Sequence, residues 1–291
     1  MIHKLVYRME LLLGRDRPGN SLTVFGDDVF IASYPKSGNT WTRFLVANLI
    51  HPQEPVTFLN IDHVVPDPEW QSRNFLKNCP RPRVIKSHHP FDPRYKRVVC
   101  IVRDPRDVAL SQYHFQIKRA LFKAGTSVEE YVQRFVQGET CDYGSWGQNV
   151  GSWLIARYNT PGFLLLRYED LLERPEEGLA KIAGLLGLNP DRGQLAKAVE
   201  LSSADRMRKL ESQQANKWDT TKATRKDMPF VRSAVAGGWK SSLPHDAVAQ
   251  IEQAWGHVMR ALGYETVTSP PRDGSRIPQD LMELPLNDVR N

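Results

Sequence analysis

Cysteine is scarce in this chain of 291 residues, which contains three cysteines, Cys79, Cys100 and Cys141. They lie far apart and form no C-x-x-C pair, so the sequence favours neither a disulfide framework nor a metal site. Long hydrophobic runs are also absent, since none approaches the roughly 18–20 apolar residues that span a bilayer. No segment is typical of a signal peptide. We therefore expect a soluble, cytoplasmic protein without a membrane partner.

The sequence has only a small excess of positive over negative charge. Lys and Arg number 39 against 33 Asp and Glu, a formal net charge of +6. This balance favours small anionic partners. A nucleic-acid binder is expected to carry a basic face interleaved with aromatic residues, whereas the basic residues here are scattered. With 41% hydrophobic and 25% charged residues, the composition is that of a globular protein and excludes a wholly disordered chain.

Four short apolar runs predict buried strands, because each has 4–8 residues and is bounded by turn or capping residues. They cover residues 28–34, 83–86, 96–103 and 162–168. Amphipathic patterns typical of helices cover residues 40–50, 106–122, 175–186 and 245–262. Strands that alternate with helices predict an α/β fold with three α/β/α layers and a mostly parallel central sheet.

No linker divides the chain into two cores, so we predict a single domain over residues 1–264. Residues 265–291 contain four prolines and little periodicity, which predicts an extended C-terminal tail. Residues 217–232 carry five basic and two acidic residues with few apolar ones. This segment, called here the basic segment, is predicted to be a mobile loop.

The richest local pattern is YPKSGNTW over residues 34–41, where a buried strand ends and a helix begins. Backbone N–H groups at a helix start point at the preceding loop, and the helix dipole adds positive potential. Lys36 adds a charge, and Ser37 and Thr40 add hydroxyl groups. The pattern therefore predicts an anion site, most simply for phosphate. The alternative is an ordinary strand-to-helix turn with a surface lysine.

This loop (residues 34–40, called here the lysine loop) is not the usual nucleoside-triphosphate loop. That motif, G-x-x-x-x-G-K-[ST], places its lysine after the second glycine, whereas Lys36 precedes Gly38. A magnesium-clamped phosphoryl donor is therefore disfavoured. Two alternatives stay open, a P-loop kinase that acts on a small metabolite and a non-catalytic nucleotide-binding module.

A second anion site is predicted where the third strand ends. Arg103 lies at the carboxyl end of that strand, where ligands bind in open α/β sheets. Ser111 lies two turns into the following helix and can be reached from the same crevice. An arginine fork and a hydroxyl suit another phosphate. The alternative for Arg103 is a surface ion pair.

Together these two strings resemble the 5′-phosphosulfate and 3′-phosphate signatures of the sulfotransferases that use 3′-phosphoadenosine 5′-phosphosulfate (PAPS). The resemblance covers roughly residues 27–262 and includes further matches at 85–90, 144–146, 167–171 and 230–232. It implies a P-loop-like fold and an enzyme that moves a sulfuryl group by in-line displacement to a hydroxyl or amine of a small molecule. PAPS would be the co-substrate, and adenosine 3′,5′-bisphosphate (PAP) the product, with no metal.

The resemblance also implies which residues contact the nucleotide. The phosphosulfate, adenine, adenosine and 3′-phosphate contacts would come from Lys36, Ser37, Gly38, Asn39, Thr40, Trp41, Arg103, Ser111, Tyr168, Ser202, Ser203, Met207 and Arg232. Trp41 would stack on adenine, and Arg232 would reach the 3′-phosphate from the basic segment. The sequence departs from the family at Ala204, where an aromatic residue is usual, and at residues 233–234, where Lys-Gly is usual.

His88 is the candidate catalytic base, because it follows a strand and faces the same crevice. Histidine, with an ordinary pKa of about 6.5, suits proton acceptance near neutral pH. The resemblance places the family's histidine here and implies that Lys36 stabilises the leaving phosphate and that Lys86 holds the sulfuryl oxygens. The alternative is a structural histidine. His89 fills a usually apolar position and is expected to be structural or to line the acceptor site.

The identity of the acceptor is not fixed by the sequence. Several aromatic residues hint at an apolar or aromatic acceptor, and each can equally belong to the core: Trp70, Phe75, Tyr113, Phe115 and Phe122. Phenols, alcohols, amines and glycosylated scaffolds all stay open as acceptors, and so does a homodimer.

Overall fold

The structure is a computed structural model that describes residues 9–11, 13–123 and 125–268. Most of the predicted tail, residues 269–291, lies outside the described residues, as do residues 1–8. The division into one domain and a tail therefore stays a prediction. The first residues of that tail are described, and Glu252 accepts hydrogen bonds from the backbone N–H groups of Val267 and Thr268. Across the described ranges, no helix is long and apolar enough to cross a bilayer.

The four predicted strands all form, and they pair into one sheet in which every neighbouring pair is parallel. The strands are β1 (Val29–Ser33), β2 (Val84–Ser87), β3 (Arg97–Val102) and β4 (Phe163–Arg167). Their order is β2-β1-β3-β4, so the chain moves from β1 to one side and then crosses to the other. The crevice between β1 and β3 is therefore the switch point at which open α/β sheets bind ligands.

Helices connect the strands and follow them, as the alternating pattern predicts. The described helices are α1 (Asn39–Ile50), α2 (Ile61–Val64), α3 (Arg73–Asn78), α4 (Pro105–Lys118), α5 (Val128–Gln137), α6 (Trp146–Arg157), α7 (Tyr168–Glu173), α8 (Pro175–Leu186), α9 (Arg192–Leu201), α10 (Ala204–Gln214), α11 (Trp239–Ser242) and α12 (His245–Ala261). Helix α4 is shorter than the predicted 106–122, because Ala120 takes a left-handed backbone conformation with φ +56°.

Alternate residues of each strand point to opposite faces of the sheet, and both faces are buried. Phe30 packs in one apolar cluster with Trp153 of α6 and Ile251 of α12. Its neighbour Ile31 packs in a second cluster with Phe44 of α1. Helices therefore cover both faces of the sheet, which confirms the predicted three-layer α/β/α architecture.

The basic segment packs against the rest of the protein through parts of its length. Trp218 and Thr221 within it are buried, and the carbonyl oxygens of Arg225 and Met228 accept hydrogen bonds from Nζ of Lys118. Lysine ammonium groups that bind backbone carbonyls hold the segment against α4. The segment contains no helix or strand, as predicted for a loop, and its mobility stays a prediction.

A buried ion network joins α12 and residue 265 to the start of α4. The Arg106 guanidinium pairs with Asp104 at 2.6 Å and with Glu252 of α12 at 2.6 Å. It also donates to the carbonyl oxygen of Glu265 and lies 3.7 Å over the Trp239 ring. The Arg106 side chain is 2% exposed. Because these charges are desolvated, they are stable only while they are paired.

We predict that Arg106→Leu lowers the free energy of unfolding by about 3–5 kcal/mol, because it leaves the buried Asp104 and Glu252 carboxylates without their partner. Urea denaturation measures the change. The control is Lys197→Ala, which removes an ion pair with Glu200 whose side chains are 61% and 69% exposed. That change should cost no more than about 1 kcal/mol. An Arg106→Leu protein as stable as the wild type would contradict the prediction.

Candidate active site

The lysine loop joins β1 to α1 through two left-handed backbone positions. Lys36 has φ +69° and Gly38, the residue that caps α1, has φ +98°. A Cβ atom added at Gly38 would lie 2.5 Å from a ring carbon of Tyr168, so both the backbone angle and the neighbouring ring require glycine. A lysine with positive φ is uncommon, and such strained backbone clusters at ligand sites.

The start of α1 is open toward the cleft. Gly38 has no side chain, so it provides no side-chain cap for the first backbone N–H groups of the helix. The helix dipole adds about half a positive charge at this end. Thr40, in the first turn, lines the cleft beside these groups. This combination of free N–H donors and positive potential suits an anion.

Two polar residues of the lysine loop are buried. The Nδ2 of Asn39 donates to the carbonyl oxygen of Ile31 at 3.0 Å and to the hydroxyl of Ser33 at 3.1 Å, which ties α1 to β1. Ser37 is fully buried, and its hydroxyl has no hydrogen-bond partner among the described residues. Asn39 therefore supports the loop through its side chain. Ser37, predicted as a nucleotide contact, is not among the residues that line the cleft.

The ammonium group of Lys36 lies between two aromatic rings. Its Nζ is 4.2 Å from the ring centroid of Phe115 and 4.2 Å from that of Phe230. Burial lowers the pKa of Lys36 to about 7, and the positive charges of Arg103 and Arg232 lower it further in the same direction. The free protein thus holds a lysine that is only partly charged near neutral pH, and a bound anion would favour its charged form.

Arg103 leaves β3 and turns toward the lysine loop. It donates to the carbonyl oxygens of Lys36 at 3.2 Å and Val235 at 3.1 Å, and it lies 4.4 Å over the Tyr168 ring. Its Nε is buried and has no partner among the described residues. A buried guanidinium N–H without an acceptor is costly, so this donor is suited to a ligand oxygen.

Arg232 and Ser111 complete this end of the cleft, and both line it. Burial lowers the pKa of Arg232, and the charge of Arg103 lowers it further. The carboxylate of Asp107 approaches Arg103 only to 3.9 Å and is used by the backbone N–H groups at residues 237 and 239. Positive charge therefore exceeds negative charge here, as a phosphate site requires.

The predicted adenine wall is only partly made of the predicted side chains. The Trp41 indole packs edge-on against Tyr168, with 5.8 Å between ring centroids, and donates to the carbonyl oxygen of Ser202 at 3.0 Å. The Ser202 side chain is fully buried, and its hydroxyl donates to the carbonyl oxygen of Ala198. Ser202 thus positions Trp41 through its carbonyl oxygen and, although predicted as a nucleotide contact, does not line the cleft. Three nearby residues do line it: Ser203, Ala204 and Met207.

The His88 ring is held in one tautomer. Its Nδ1 lies 2.8 Å from the carbonyl oxygen of Ser33, which can only accept, so Nδ1 carries the proton and Nε2 keeps its lone pair. The amide of Asn149 donates to the His88 carbonyl oxygen at 3.0 Å. Burial lowers the pKa of His88 to about 3, and the charge of Lys86 contributes. At neutral pH the ring is therefore uncharged and can accept a proton at Nε2.

Lys86 lines the cleft two residues before His88 and is held by an ion pair. Its Nζ lies 2.5 Å from Oδ2 of Asp67, and the two side chains are 12% and 5% exposed. His89, the residue after His88, has its Nε2 3.2 Å from Glu69 and is not among the residues that line the cleft. The role of His89 stays a prediction.

Four residues that support this site were not found from the sequence: Asp67, Tyr143, Asn149 and Glu211. Asp67 positions Lys86, and Tyr143 packs edge-on against His88 with 5.5 Å between ring centroids. Glu211 accepts the backbone N–H groups of residues 230 and 231 and so fixes the position of the Phe230 ring. Only Tyr143 had a signal, because it directly precedes the predicted motif at 144–146.

Many of the predicted site residues line one cleft of about 1020 Å³: Lys36, Gly38, Asn39, Thr40, Trp41, Lys86, His88, Arg103, Ser111, Tyr168, Ser203, Met207 and Arg232. This volume is ample for a nucleotide and a small acceptor. Of the aromatic residues considered for the acceptor, Trp70, Phe115 and Phe122 line the cleft. Phe75 and Tyr113 pack against the core instead. Within the described ranges, no cluster of three or more potential metal ligands occurs.

Comparisons with known proteins agree with this geometry. The family model described as "Sulfotransferase domain" matches residues 26–263. Sulfotransferase 1B1 of Canis lupus familiaris is 30% identical over 243 residues, which cover 78% of this chain and 80% of that protein. Sulfotransferase 1B1 of Mus musculus is 28% identical over 259 residues, covering 83% and 85%.

A similar fold is also found among solved structures. A crystal structure of retinol dehydratase in complex with retinol and PAP superposes with a TM-score of 0.68 at 20% identity, and the match covers 88% of this chain and 87% of that chain. At this identity the likeness concerns the fold. The family match, in contrast, extends over most of the sequence and contains the lysine loop, His88 and Arg103. The chain belongs to the sulfotransferase family and is a PAPS-dependent sulfotransferase.

Proposed function

We propose that this protein moves the sulfuryl group of PAPS to a hydroxyl of a small-molecule acceptor, with His88 as the general base and PAP as the product. One observation carries the proposal. Lys36, His88 and Arg103 leave the carboxyl ends of three adjacent strands and line the same cleft. The arrangement puts positive charge and a neutral imidazole along one crevice, as this transfer requires.

The nucleotide fits the positive end of the cleft. Arg103, Ser111 and Arg232 would hold the 3′-phosphate, and the unpaired Nε of Arg103 supports this assignment. The first turn of α1 and Lys36 would hold the 5′-phosphosulfate. Trp41 and Tyr168 would contact the adenosine. The nucleotide supplies an activated sulfuryl group and a good leaving group, and the protein supplies position and charge.

The transfer needs one proton acceptor and two cations. As the acceptor hydroxyl attacks sulfur, its proton passes to Nε2 of His88, which the hydrogen bond to Ser33 keeps free. Lys36 balances the charge that develops on the departing phosphate oxygen. Lys86, positioned by Asp67, faces the transferred group. In this scheme sulfur exchanges one oxygen partner for another, and no covalent enzyme intermediate is involved.

In this scheme the acceptor binds beside His88. The names of similar proteins indicate which chemical classes of acceptor to test. One similar protein is the 3-beta-hydroxysteroid sulfotransferase of Cavia porcellus, 30% identical over 238 residues. We propose hydroxyl compounds, phenols and alcohols, as the class for this chain. The small-molecule kinase considered from the sequence is not supported, because the family match is to sulfotransferases. A purely nucleotide-binding role predicts that His88 is dispensable.

We predict that His88→Gln lowers kcat by about 10²–10⁴-fold, because the acceptor hydroxyl loses its proton acceptor. The assay uses labelled PAPS with the phenol that gives the highest wild-type rate in a panel of phenols and alcohols. Calorimetry should find that PAP affinity changes less than about twofold. The matched control is His89→Gln, which should keep most of the activity. A His88→Gln enzyme with near-wild-type kcat would refute the assignment.

We predict that PAP binding takes up a proton at pH 8, where Lys36 is mostly uncharged in the free protein because its pKa is about 7. The bound phosphate raises this pKa, so the affinity is full below pH 7 and falls by up to about tenfold per pH unit above it. Calorimetry in buffers of different ionisation enthalpy measures the uptake. Lys36→Arg, which stays charged, should bind without that uptake. Equal uptake in both proteins would show that another group titrates.

We predict that Arg103→Leu weakens PAP binding by about 10–100-fold and leaves the binding of adenosine 5′-monophosphate nearly unchanged, because only PAP has the 3′-phosphate. The control is Arg174→Leu, whose side chain is 54% exposed, pairs with Glu177 and does not line the cleft. It should change neither affinity. If Arg103→Leu weakened both ligands equally, Arg103 would not be the 3′-phosphate residue.

A further inference from the structure

Helix α4 carries two buried amide side chains along the cleft. Gln112 and Gln116 lie one helical turn apart, both line the cleft, and they are 1% and 6% exposed. Amide side chains bring two donors and two acceptor lone pairs each, and burial is stable when these groups are paired. Their hydrogen bonds are therefore informative about what the cleft is built to hold.

The amide of Gln116 is oriented by a backbone carbonyl. Its Nε2 donates to the carbonyl oxygen of Thr140 at 2.6 Å, and that oxygen can only accept. The Gln116 Oε1 is therefore fixed on the other side of the amide. This oxygen is buried and has no hydrogen-bond partner among the described residues. A buried acceptor without a donor is costly, so this position is suited to a donor on a ligand.

The amide of Gln112 is only weakly paired. Its Oε1 lies 3.5 Å from the Thr140 hydroxyl, at the outer limit of a hydrogen bond. Thr140 itself is 4% exposed and lines the cleft. Gln112, Gln116 and Thr140, called here the amide subsite, thus form one polar cluster in which a buried acceptor lacks a donor.

The amide subsite lies toward the acceptor rather than the nucleotide. Gln116 is five residues beyond Ser111 on α4, about 7.5 Å along the helix from the proposed 3′-phosphate site. Thr140 precedes Tyr143 by three residues, and the Tyr143 ring packs against His88. The neighbouring walls of the cleft include the rings of Phe115 and Phe122. An acceptor whose apolar part lies between these rings could place a polar group beside the amides of Gln112 and Gln116.

We propose that the amide subsite binds a second hydroxyl of the acceptor, remote from the hydroxyl that receives the sulfuryl group. The inference rests on the proposed function and names its substrate class, acceptors with two hydroxyl groups on an apolar or aromatic body. A hydroxyl can donate to Oε1 of Gln116 and accept from a neighbouring donor. A cationic amine fits less well, because the three residues of the subsite carry no charge.

The test compares paired acceptors that differ only in this group. The probes are 4-(ω-hydroxyalkyl)phenols with two to four methylene groups and the 4-alkylphenols in which a methyl group replaces the terminal hydroxyl. At the best chain length, the wild type should prefer the diol by at least about tenfold in kcat/KM, since a site built for a hydroxyl rejects the analogue without it. Mass spectrometry of the product identifies the sulfated oxygen.

Two variants place the preference at the subsite. Gln116→Met and Gln112→Met keep the approximate volume and remove the amide, so the preference should fall to within about twofold of unity through loss of diol activity, with alkylphenol activity retained. Gln133→Met, at an exposed position of α5, is the matched control and should keep the wild-type preference. Unchanged melting temperature and PAP affinity show that each variant is folded.

The outcomes separate this inference from the proposed function. If the wild type sulfates both members of each pair equally at every length, the subsite is wrong and the transfer to phenols stands. A preference that survives both Met variants overturns the subsite as well. If PAP binds but no phenol is sulfated or bound, the acceptor class and the subsite both fall. If PAP does not bind, the proposed function itself is refuted.

Discussion

The burial of the Lys36 ammonium beside other cations is the constraint on which the rest of the site depends. The left-handed backbone of Lys36 and the nearby charges of Arg103 and Arg232 are unfavourable in the free protein, and the contacts of the Lys36 ammonium group with two aromatic rings offset only part of this cost. The surrounding structure has to impose this arrangement. Helix α4 supplies Phe115, and Glu211 fixes the chain that carries Phe230. An anion bound beside Lys36, as in the proposed function, would offset the repulsion among these cations.

The parallel sheet sorts the chemistry along the cleft. Strands β1 and β3 meet at the switch point, where Lys36 and Arg103 leave the sheet together, and β2 on the other side of β1 delivers His88. Helix α4 runs along the cleft, with Ser111 near its middle and Gln116 in its last turn. One strand order and one helix therefore bring Lys36, His88 and Arg103 to the same cleft as the buried amides of α4.

The sequence predicts those parts of the fold and site that depend on local patterns. The four strands, the lysine loop and the crevice positions of Arg103 and His88 follow from apolar runs and from the geometry of parallel sheets. Contacts between distant segments were not predictable. Lys118 binds two carbonyl oxygens of the basic segment, which lies more than 100 residues further along the chain. Asp67 positions Lys86, which is 19 residues away in the sequence. Ser202 was predicted as a ligand contact, but its carbonyl oxygen binds the Trp41 indole and its side chain does not line the cleft. The sequence pattern does not indicate whether a residue near the cleft faces it or faces the core.

The lowered pKa values of Lys36 and His88 have a common cause, burial near positive charge, yet the two residues need opposite responses to the same anion. An arriving phosphosulfate raises both pKa values. Lys36, with a pKa of about 7, becomes fully charged after a small rise. His88, with a pKa of about 3, is uncharged at pH 7 in the free protein. In the proposed transfer, the low pKa of His88 would preserve the free base beside an anionic substrate, while Lys36 would gain the charge that balances the leaving group.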